Sequence, residues 1–362
     1  MSNTIRYVLA LLLNISFFGC KSSYLDTHNT LKVKFLSEYI LPEDTTVNNV
    51  QVGGLSGIDY NNGTYYLVCD DEDNPRFYEA SITVNSNQIS NISIDKAVTV
   101  HDNLDVLDME SIRFDSNTNQ VLITSEGDIN NQKDPSLTAF DLQGNVISRF
   151  KIPEAFKANS FQKPRHNATL EGLCHSFNKK GYWIGMELPL KADGPEPQVA
   201  KTKSPVRITF IDAKTESPKR QFAYYLDPVA KKPLGDFSVN GLTDLLEYDK
   251  GIFLIIERSY SSGLGDQGNT IKLFKADAIN ATNTLQMASL KDVDFIPAKK
   301  ELLLDFEDIR ALLTNHSVDN IEGITFGPRL PNGHQTLIVV SDNNFNKLGK
   351  QLNQFILLEI EE

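Results

Sequence analysis

The chain has 362 residues, a formal net charge of −12 at pH 7, 21 glycines and 15 prolines. The negative charge argues against direct binding to nucleic acid or to an anionic membrane surface. The ordinary glycine and proline content excludes a low-complexity chain, and the length is compatible with one large barrel or propeller domain.

The first 20 residues predict a lipoprotein-type signal peptide. Arg6 supplies the positive start, residues 7–18 form an apolar stretch too short to span a bilayer, and Gly19 precedes Cys20. We expect Cys20 to be lipidated and residues 21–30 to be a polar tether. The protein would then be anchored by this lipid outside the cytoplasm of a bacterial cell, in the periplasm or at the cell surface. The alternative is ordinary secretion with an unmodified Cys20.

A repeated unit then runs from residue 54 to residue 342. In each copy a short apolar strand opens with a polar or acidic residue, a turn follows, and a second apolar strand ends in a carboxylate. The first strands open with Ser56, Glu110, Glu171, Asp244 and Glu322, and the second strands end with Asp70, Glu126, Glu187, Glu257 and Asp342. Repeats that contain such strand pairs predict the blades of a β-propeller.

Further strands complete the predicted blades. Third strands are predicted at residues 77–82, 137–141, 206–211 and 272–276, and end strands at residues 31–41 and 355–359. The two end strands could close the ring by pairing in one blade. We expect an all-β fold in which residues 31–362 form one β-propeller domain of six blades. Cys69 and Cys174 fall in apolar strands and are expected to be buried free thiols.

The two acids of each hairpin should meet, and all the pairs should lie at one end of one channel. The expected pairs are Glu110 with Glu126, Glu171 with Glu187, Asp244 with Glu257, and Glu322 with Asp342. In an antiparallel pair the start of one strand lies beside the end of the next, and the first strands of propeller blades line the central channel. Carboxylates that share one channel mouth raise each other's pKa, so a positive charge should compensate them. Ca²⁺ is the first candidate and Mg²⁺ the second, because both take oxygen ligands. Arg258 could supply the compensating positive charge instead of a metal ion. Alternatively, the acids accept hydrogen bonds only from backbone amides of the next turn, and neither a metal ion nor an arginine is then required.

Ordered motifs along the chain resemble one known family. Gly54-Leu55-Ser56-Gly57-Ile58, with Asp70-Asp71 and Pro75-Arg76-Phe77-Tyr78, is similar to the opening of the bacterial phytase-like family, "esterase-like activity of phytase". The later motifs follow in the expected order: Glu171-Gly172-Leu173, Asp244-Leu245-Leu246 with Glu257-Arg258, and Glu322-Gly323-Ile324 with Ser341-Asp342-Asn343-Asn344-Phe345. The resemblance implies a secreted β-propeller-like domain that hydrolyses esters, phosphate esters among them. The chain lacks the high content of lysine and arginine expected of an enzyme dedicated to phytate.

The first functional hypothesis is a metal-assisted hydrolase of a small-molecule ester or phosphate ester. A divalent cation would polarise the ester oxygen and activate water, and its expected ligands are Glu110, Glu171, Asp244 and Glu322. The expected catalytic residues are Glu171, Glu257, Arg258 and Asp342. The expected substrate-binding residues are Arg76, Arg258 and His166. Guanidinium groups suit anionic oxygens, although each arginine could instead pair with neighbouring acids and His166 could be an exposed loop residue.

The second functional hypothesis is a non-catalytic cell-surface propeller. It would bind a small ligand, a glycan or a protein, and its acids would hold a structural metal ion. Because a fold alone does not decide function, both hypotheses stand at this point. In either case we expect a monomer that contacts the membrane only through its N-terminal lipid.

Overall fold

Short alternating apolar segments form β-strands from one end of the described chain to the other. The structure is a computed structural model that describes residues 31–102, 107–347 and 349–361. Cys20 and the expected tether lie outside these residues. Within the described ranges, no helix has the length and apolar character needed to cross a membrane.

The described residues form five four-stranded antiparallel blades. One strand and a small hairpin precede the first repeat: β1 (Lys32–Leu41), then β2 (Thr46–Val47) and β3 (Val50–Gln51). Blade 1 consists of β4 (Leu55–Asn61), β5 (Thr64–Cys69), β6 (Arg76–Asn85) and β7 (Gln88–Thr99). Blade 2 consists of β8 (Met109–Asp115), β9 (Gln120–Ser125), β10 (Ser136–Phe140) and β11 (Val146–Phe150).

The remaining blades follow the same inside-to-outside order. Blade 3 consists of β12 (Leu170–His175), β13 (Gly181–Met186), β14 (Pro205–Asp212) and β15 (Ser217–Tyr225). Blade 4 consists of β16 (Ser238–Asp249), β17 (Ile252–Ser261), β18 (Asn269–Asp277) and β19 (Lys299–Asp305). Blade 5 consists of β20 (Asn320–Phe326), β21 (Gln335–Asp342), β22 (Asn353–Glu361) and, as its outermost strand, β1.

The prediction of six blades is wrong, and the end strands explain why. β1 pairs antiparallel with β22, from Lys32 opposite Glu361 to Leu41 opposite Asn353. The two end strands therefore complete the sheet that β20 and β21 begin, and do not build a blade of their own. The ring is closed by strands from both ends of the described chain.

Short 3₁₀-helices and tight hairpin turns connect the strands. The helices are Glu154–Phe156, Gly265–Gln267, Phe306–Asp308, Arg310–Leu312, Thr314–His316 and Asn344–Asn346. The β2–β3 hairpin turns at Asn48 and Asn49, which have φ angles of 52° and 65°. Two successive positive φ angles match the twist of a hairpin, and asparagine tolerates them well.

The core lies between neighbouring blades, where the apolar faces of adjacent sheets pack together. Trp183 of blade 3 meets Phe253 of blade 4 edge-on, with ring centroids 5.2 Å apart and planes at 87°. Cys69 and Cys174 are buried in these layers as free thiols, which confirms the expectation for both.

At the axis, the inner strands β4, β8, β12, β16 and β20 approach each other closely. A Cβ atom on Gly323 would lie 3.0 Å from the Cα of Gly57, and one on Gly172 would lie 2.4 Å from Cδ2 of Leu245. These contacts explain glycine at corresponding places of three inner strands.

Candidate functional site

A shared irregularity aligns the inner hairpins of the blades. Each first strand carries a one-residue β-bulge near its start: the register shifts lie between Leu55 and Gly57, Met109 and Ile112, Leu170 and Gly172, Leu242 and Asp244, and Ile321 and Gly323. We call the residue after the first member of each pair the bulge position. We call the residue that follows that member's partner on the second strand the exit position. Bulges re-aim side chains and often lie beside functional sites.

These two positions carry most of the acids predicted from the repeat. The bulge positions of blades 1 to 5 hold Ser56, Glu110, Glu171, Thr243 and Glu322. The exit positions hold Asp70, Glu126, Glu187, Arg258 and Asp342. Blade 4 is therefore the blade without a carboxylate at either position.

The acids converge on a cavity of about 810 Å³ at one end of the ring, which we call the mouth. Its lining includes Asp70, Asp108, Glu110, Glu126, Glu171, Glu187, Glu322 and Asp342. Glu110 and Glu126, predicted to meet, do so, as do Glu171 and Glu187. Residues remote in sequence thus share one pocket, because each blade contributes the same end of its inner hairpin.

Two triads of carboxylates share Glu126, and within each triad the oxygens are close enough to bind one ion. Ligand atoms of Asp108, Glu110 and Glu126 lie within 4.8 Å of one another, and so do those of Glu126, Glu171 and Glu187. Oxygens bound about 2.4 Å from a calcium ion lie at most about 4.8 Å apart. The all-oxygen donor set and its spacing fit a hard divalent cation.

Glu171 distinguishes this arrangement from a surface cluster of acids that are all hydrogen-bonded within the protein. Its side chain is 6 % exposed and lines the cavity. Among the described residues, none donates a hydrogen bond to its carboxylate. A buried carboxylate is costly unless it is paired or coordinates a metal.

Arg258 supplies a positive charge within the protein. Its Nη2 lies 3.2 Å from Oε1 of Glu187, and its Nη1 lies 3.4 Å from Oε1 of Glu322. Nη1 also donates to Oδ1 of Asn320 at 2.9 Å. Burial is the largest single effect on the pKa of Arg258 and lowers it. The charges of the surrounding acids together outweigh burial and raise this pKa above its usual value. The guanidinium therefore stays charged and bridges blades 3 and 5.

Asn320 joins the two acids of blade 5. Its amide nitrogen lies 3.0 Å from Oε1 of Glu322 and 3.4 Å from Oδ2 of Asp342. The predicted proximity of Glu322 and Asp342 is therefore seen in this blade as well.

Burial and mutual repulsion make the mouth acids weaker than usual. Burial, followed by the charges of neighbouring acids, raises the pKa of Glu110, Glu126 and Glu171 well above the ordinary range. Burial raises the pKa of Asp108 to about 7. It also raises the pKa of Glu322 to about 7, although Arg258 opposes the rise. The mouth is a place that favours either protons or a cation.

The structure places Asp244 at the axis and not in the mouth lining. It occupies the place of Gly57, Gly172 and Gly323, one residue after the bulge position. Its carboxylate accepts bonds from Nη2 of Arg113 at 2.8 and 2.9 Å. Backbone N–H groups of Leu173, Leu245 and Ile324 also donate to it. A carboxylate saturated in this way is a structural plug, so the metal role expected for Asp244 is withdrawn.

Arg113 completes this plug. It donates to the carbonyl oxygens of Ile58, Ile112, Leu245 and Ile324. Together the two side chains bond to all five blades. They lie between the mouth and a second cavity of about 650 Å³ at the opposite end, which Arg113 itself lines.

Glu257, also expected to be catalytic, faces away from the mouth. It pairs with Leu242 one residue before the exit position. Its carboxylate accepts bonds from Tyr224, Asn240 and Lys300, and from the backbone of Asp227. The repeat alignment was one residue out on both strands of blade 4, and successive strand residues point to opposite faces. Arg258 takes the place that Glu257 was expected to hold.

The remaining predicted residues divide between the mouth and its surroundings. Arg76 is buried away from the lining, where it pairs with Asp71 at 2.9 Å and donates to the hydroxyl of Tyr78 at 2.7 Å. Its expected substrate-binding role is therefore withdrawn in favour of the structural alternative. His166 does line the mouth, with Nδ1 3.6 Å from Oδ1 of Asp128.

Several mouth residues were not singled out from the sequence. Asp108, Asn320 and Phe237 all belong to the lining. Asp108 and Asn320 each stand two residues before a predicted acid, Glu110 and Glu322, and this shared spacing was the available signal. Phe237 carries no such repeat signal, since it precedes a strand that is longer than its counterparts.

Comparison with known proteins agrees with the motifs. The family model described as Phytase-like, esterase-like activity of phytase, matches residues 50–345. A search of curated proteins returned no significant match.

Solved structures with similar folds include three sugar-processing proteins. A GH43 β-1,3-galactosidase has a TM-score of 0.44 at 10 % identity, over 87 % of this chain and 92 % of its own. The catalytic domain of a Coprinopsis cinerea GH62 α-L-arabinofuranosidase has a TM-score of 0.43 at 8 % identity, over 91 % and 97 %. A Bacillus subtilis arabinanase has a TM-score of 0.40 at 12 % identity, over 84 % and 94 %. At these values the likenesses say nothing about the activity of this chain.

Proposed function

We propose that this chain, which belongs to the phytase-like family, hydrolyses an ester or phosphate ester at the mouth with the help of a divalent cation, Ca²⁺ first. The observation that carries the proposal is Glu171, a buried carboxylate that lines the cavity, receives no hydrogen bond from a described residue and is set among acids at coordination spacing. A cation there would supply Lewis-acid polarisation of the ester oxygen and a more acidic water.

The chain's own residues would share the remaining work. Glu126, Glu171 and Glu187 would hold the cation, since their ligand atoms lie within 4.8 Å of one another, and Glu110 belongs to the adjoining triad with Asp108 and Glu126. Arg258 would bind the anionic oxygens of the substrate, because a guanidinium forms paired bonds with carboxylate and phosphate. It lines the mouth already charged.

Proton transfer would fall to the acids of blade 5. Burial and the charge of Asp70 raise the pKa of Asp342 well above its usual value, and Glu322 has a pKa of about 7. A group that gains and loses a proton near the working pH is suited to general acid–base catalysis.

Glu171→Gln tests the metal part of this proposal. The substitution keeps the size of the side chain but removes a charged ligand. In the parent protein added calcium should raise the melting temperature by mass action, and the rise should shrink as pH falls because protonated acids are poor ligands. Glu171→Gln should lose most of this calcium-dependent rise. Glu301→Gln, an exposed change on the outer strand of blade 4, should keep it.

Turnover is tested with a panel of chromogenic phosphate and carboxylate esters, with calcium and with chelator. Calcium-dependent hydrolysis that Glu171→Gln abolishes is the expected result. Equal melting curves with calcium and chelator would reject the metal site. Calcium binding without hydrolysis of any ester would favour a non-catalytic binding propeller.

The proposed location outside the cytoplasm, with a lipid anchor at Cys20, depends on the sequence of residues 1–20. Cys20→Ala should move the protein from the membrane fraction to the soluble fraction. Unchanged membrane association in this variant would reject the anchor.

A further inference from the structure

The inner hairpin of blade 4 extends farther at the mouth than those of the other blades. In blades 1, 2 and 3 the first paired residues of the inner hairpin directly precede the bulge position. Blade 4 adds four pairs beyond that point, from Gly241 opposite Arg258 to Ser238 opposite Ser261. The extra length builds a wall beside the mouth, which we call the blade 4 wall.

The wall carries a different chemistry from the acids around it. Arg258 and Tyr260 are two residues apart on β17 and so project from the same face, and both line the mouth. Phe237 joins them just before β16. The rings of Phe237 and Tyr260 lie 6.2 Å apart at 41°.

Hydrogen bonds hold the backbone of Phe237, and packing holds the ring of Tyr260. The backbone of Phe237 bonds in both directions with Ser262, whose Oγ accepts from its N–H at 3.0 Å. Tyr260 packs against Gly268, where a Cβ atom would come within 2.9 Å of its Cε2 atom. Phe237 nevertheless stays 57 % exposed. An exposed aromatic side chain on a hydrogen-bonded backbone at the edge of a polar pocket is suited to binding an apolar face.

We infer that the blade 4 wall is the substrate side of the mouth and that the substrate carries a ring with an apolar face, aromatic or sugar, on its anionic ester group. The ring would lie on Phe237 and Tyr260 while Arg258 holds the anionic oxygens. This inference depends on the proposed function for the anionic group, and it adds the class of substrate.

The test uses phosphonates, which cannot be hydrolysed at the carbon–phosphorus bond. Binding of methylphosphonate, phenylphosphonate and a C-glucosyl phosphonate to the full chain is measured by calorimetry with calcium present. At least one ring compound should bind about tenfold more tightly than methylphosphonate, the size of one good aromatic contact. The compound with the greater increase in affinity over methylphosphonate shows whether the ring is aromatic or a sugar.

Phe237→Ala should remove most of that preference and leave methylphosphonate binding unchanged. Phe177→Ala is the matched control, because Phe177 is a similarly exposed aromatic, 53 %, in the cavity at the opposite end. It should keep the full preference. Since both side chains are largely exposed, neither change should prevent folding, and melting curves check this.

The outcomes separate the two proposals. Equal binding of all three phosphonates, or a ring preference that survives Phe237→Ala, overturns the ring inference while the anion site stands. Absence of binding by all three, with and without calcium, rejects the anion site and the ring inference together. Ester hydrolysis measured in parallel reports on catalysis independently of either binding result.

Discussion

Blades 3 and 4 have the same bulged inner hairpin but opposite chemistry at the mouth. At the bulge position blade 3 has Glu171 and blade 4 has Thr243. At the exit position blade 3 has Glu187 and blade 4 has Arg258. One residue beyond the bulge, Gly172 of blade 3 corresponds to Asp244 of blade 4. The repeat preserves backbone geometry and leaves the side chains free to diverge. Blade 4 therefore supplies the carboxylate of Asp244 at the axis and the positive charge of Arg258 at the mouth, while the other blades supply the mouth acids.

Asp244→Gly gives blade 4 the residue that blade 3 has at the axis, and we expect it to have the largest effect. It leaves the buried Arg113 without its counter-charge. Removing one partner of a buried ion pair costs about 3–5 kcal/mol. Urea unfolding should show a fall in the free energy of unfolding of that size.

A double variant tests the cause of this loss. Asp244→Gly combined with Arg113→Met no longer buries an unpaired charge and should be less destabilised than Asp244→Gly alone. A loss of less than about 1 kcal/mol in the single variant would contradict a stabilising plug.

Arg258→Met removes the positive charge that distinguishes the exit position of blade 4. Glu187 and Glu322 lose a charged hydrogen-bond or ion-pair partner, so the metal-free protein at pH 8 should lose about 1.5–3 kcal/mol. The loss should shrink toward pH 5.5 as the acids take up protons. Unfolding in chelator across this range measures it, and a loss that does not vary with pH would show that Arg258 acts by packing alone.

The parent protein has its own pH dependence in chelator. The folded pKa values of Asp108 and Glu322, about 7, lie above those of ordinary carboxyl groups. The folded chain therefore binds more protons than the unfolded chain between about pH 4 and pH 7. Metal-free stability should fall as pH rises through this window, whereas the stabilisation added by calcium should grow.

Thr243→Val is expected to have the smallest effect. Thr243 is 2 % exposed, and its hydroxyl has no hydrogen-bond partner in the part of the chain that the structure describes. Replacing an unsatisfied buried hydroxyl with a methyl group should leave stability unchanged or raise it by up to about 1 kcal/mol. A clear loss in thermal unfolding would show that the hydroxyl has a partner, such as a bound water.

Much of this arrangement could be predicted from the sequence, since strand patterns and acid spacing are local properties. The propeller and the meetings of Glu110 with Glu126 and of Glu171 with Glu187 follow from hairpin geometry. The position of Asp244 could not be predicted in the same way, because a bulge adds one residue and a one-residue shift changes the face that a side chain meets. Only the register of the folded hairpin distinguishes Asp244 from Thr243.

The blade count failed for a different reason. The strands at residues 31–41 and 355–359 and their possible pairing were predicted, but the pattern of these strands does not show that they complete the sheet begun by β20 and β21. Pairing between β1 and β22 joins segments from opposite ends of the described chain. The role of Phe237 was likewise hidden, because it depends on the added length of β16 and β17.

The pairing of β1 with β22 has a consequence for biosynthesis. A ribosome makes β1 before all the other strands described here and β22 after them, so blade 5 cannot be completed until the other blades have been made. Contacts between such distant segments slow folding, and an unpaired strand edge can pair with another chain. We expect the edge of β1, which is unpaired until β22 has been made, to be the part of the nascent chain most in need of a chaperone.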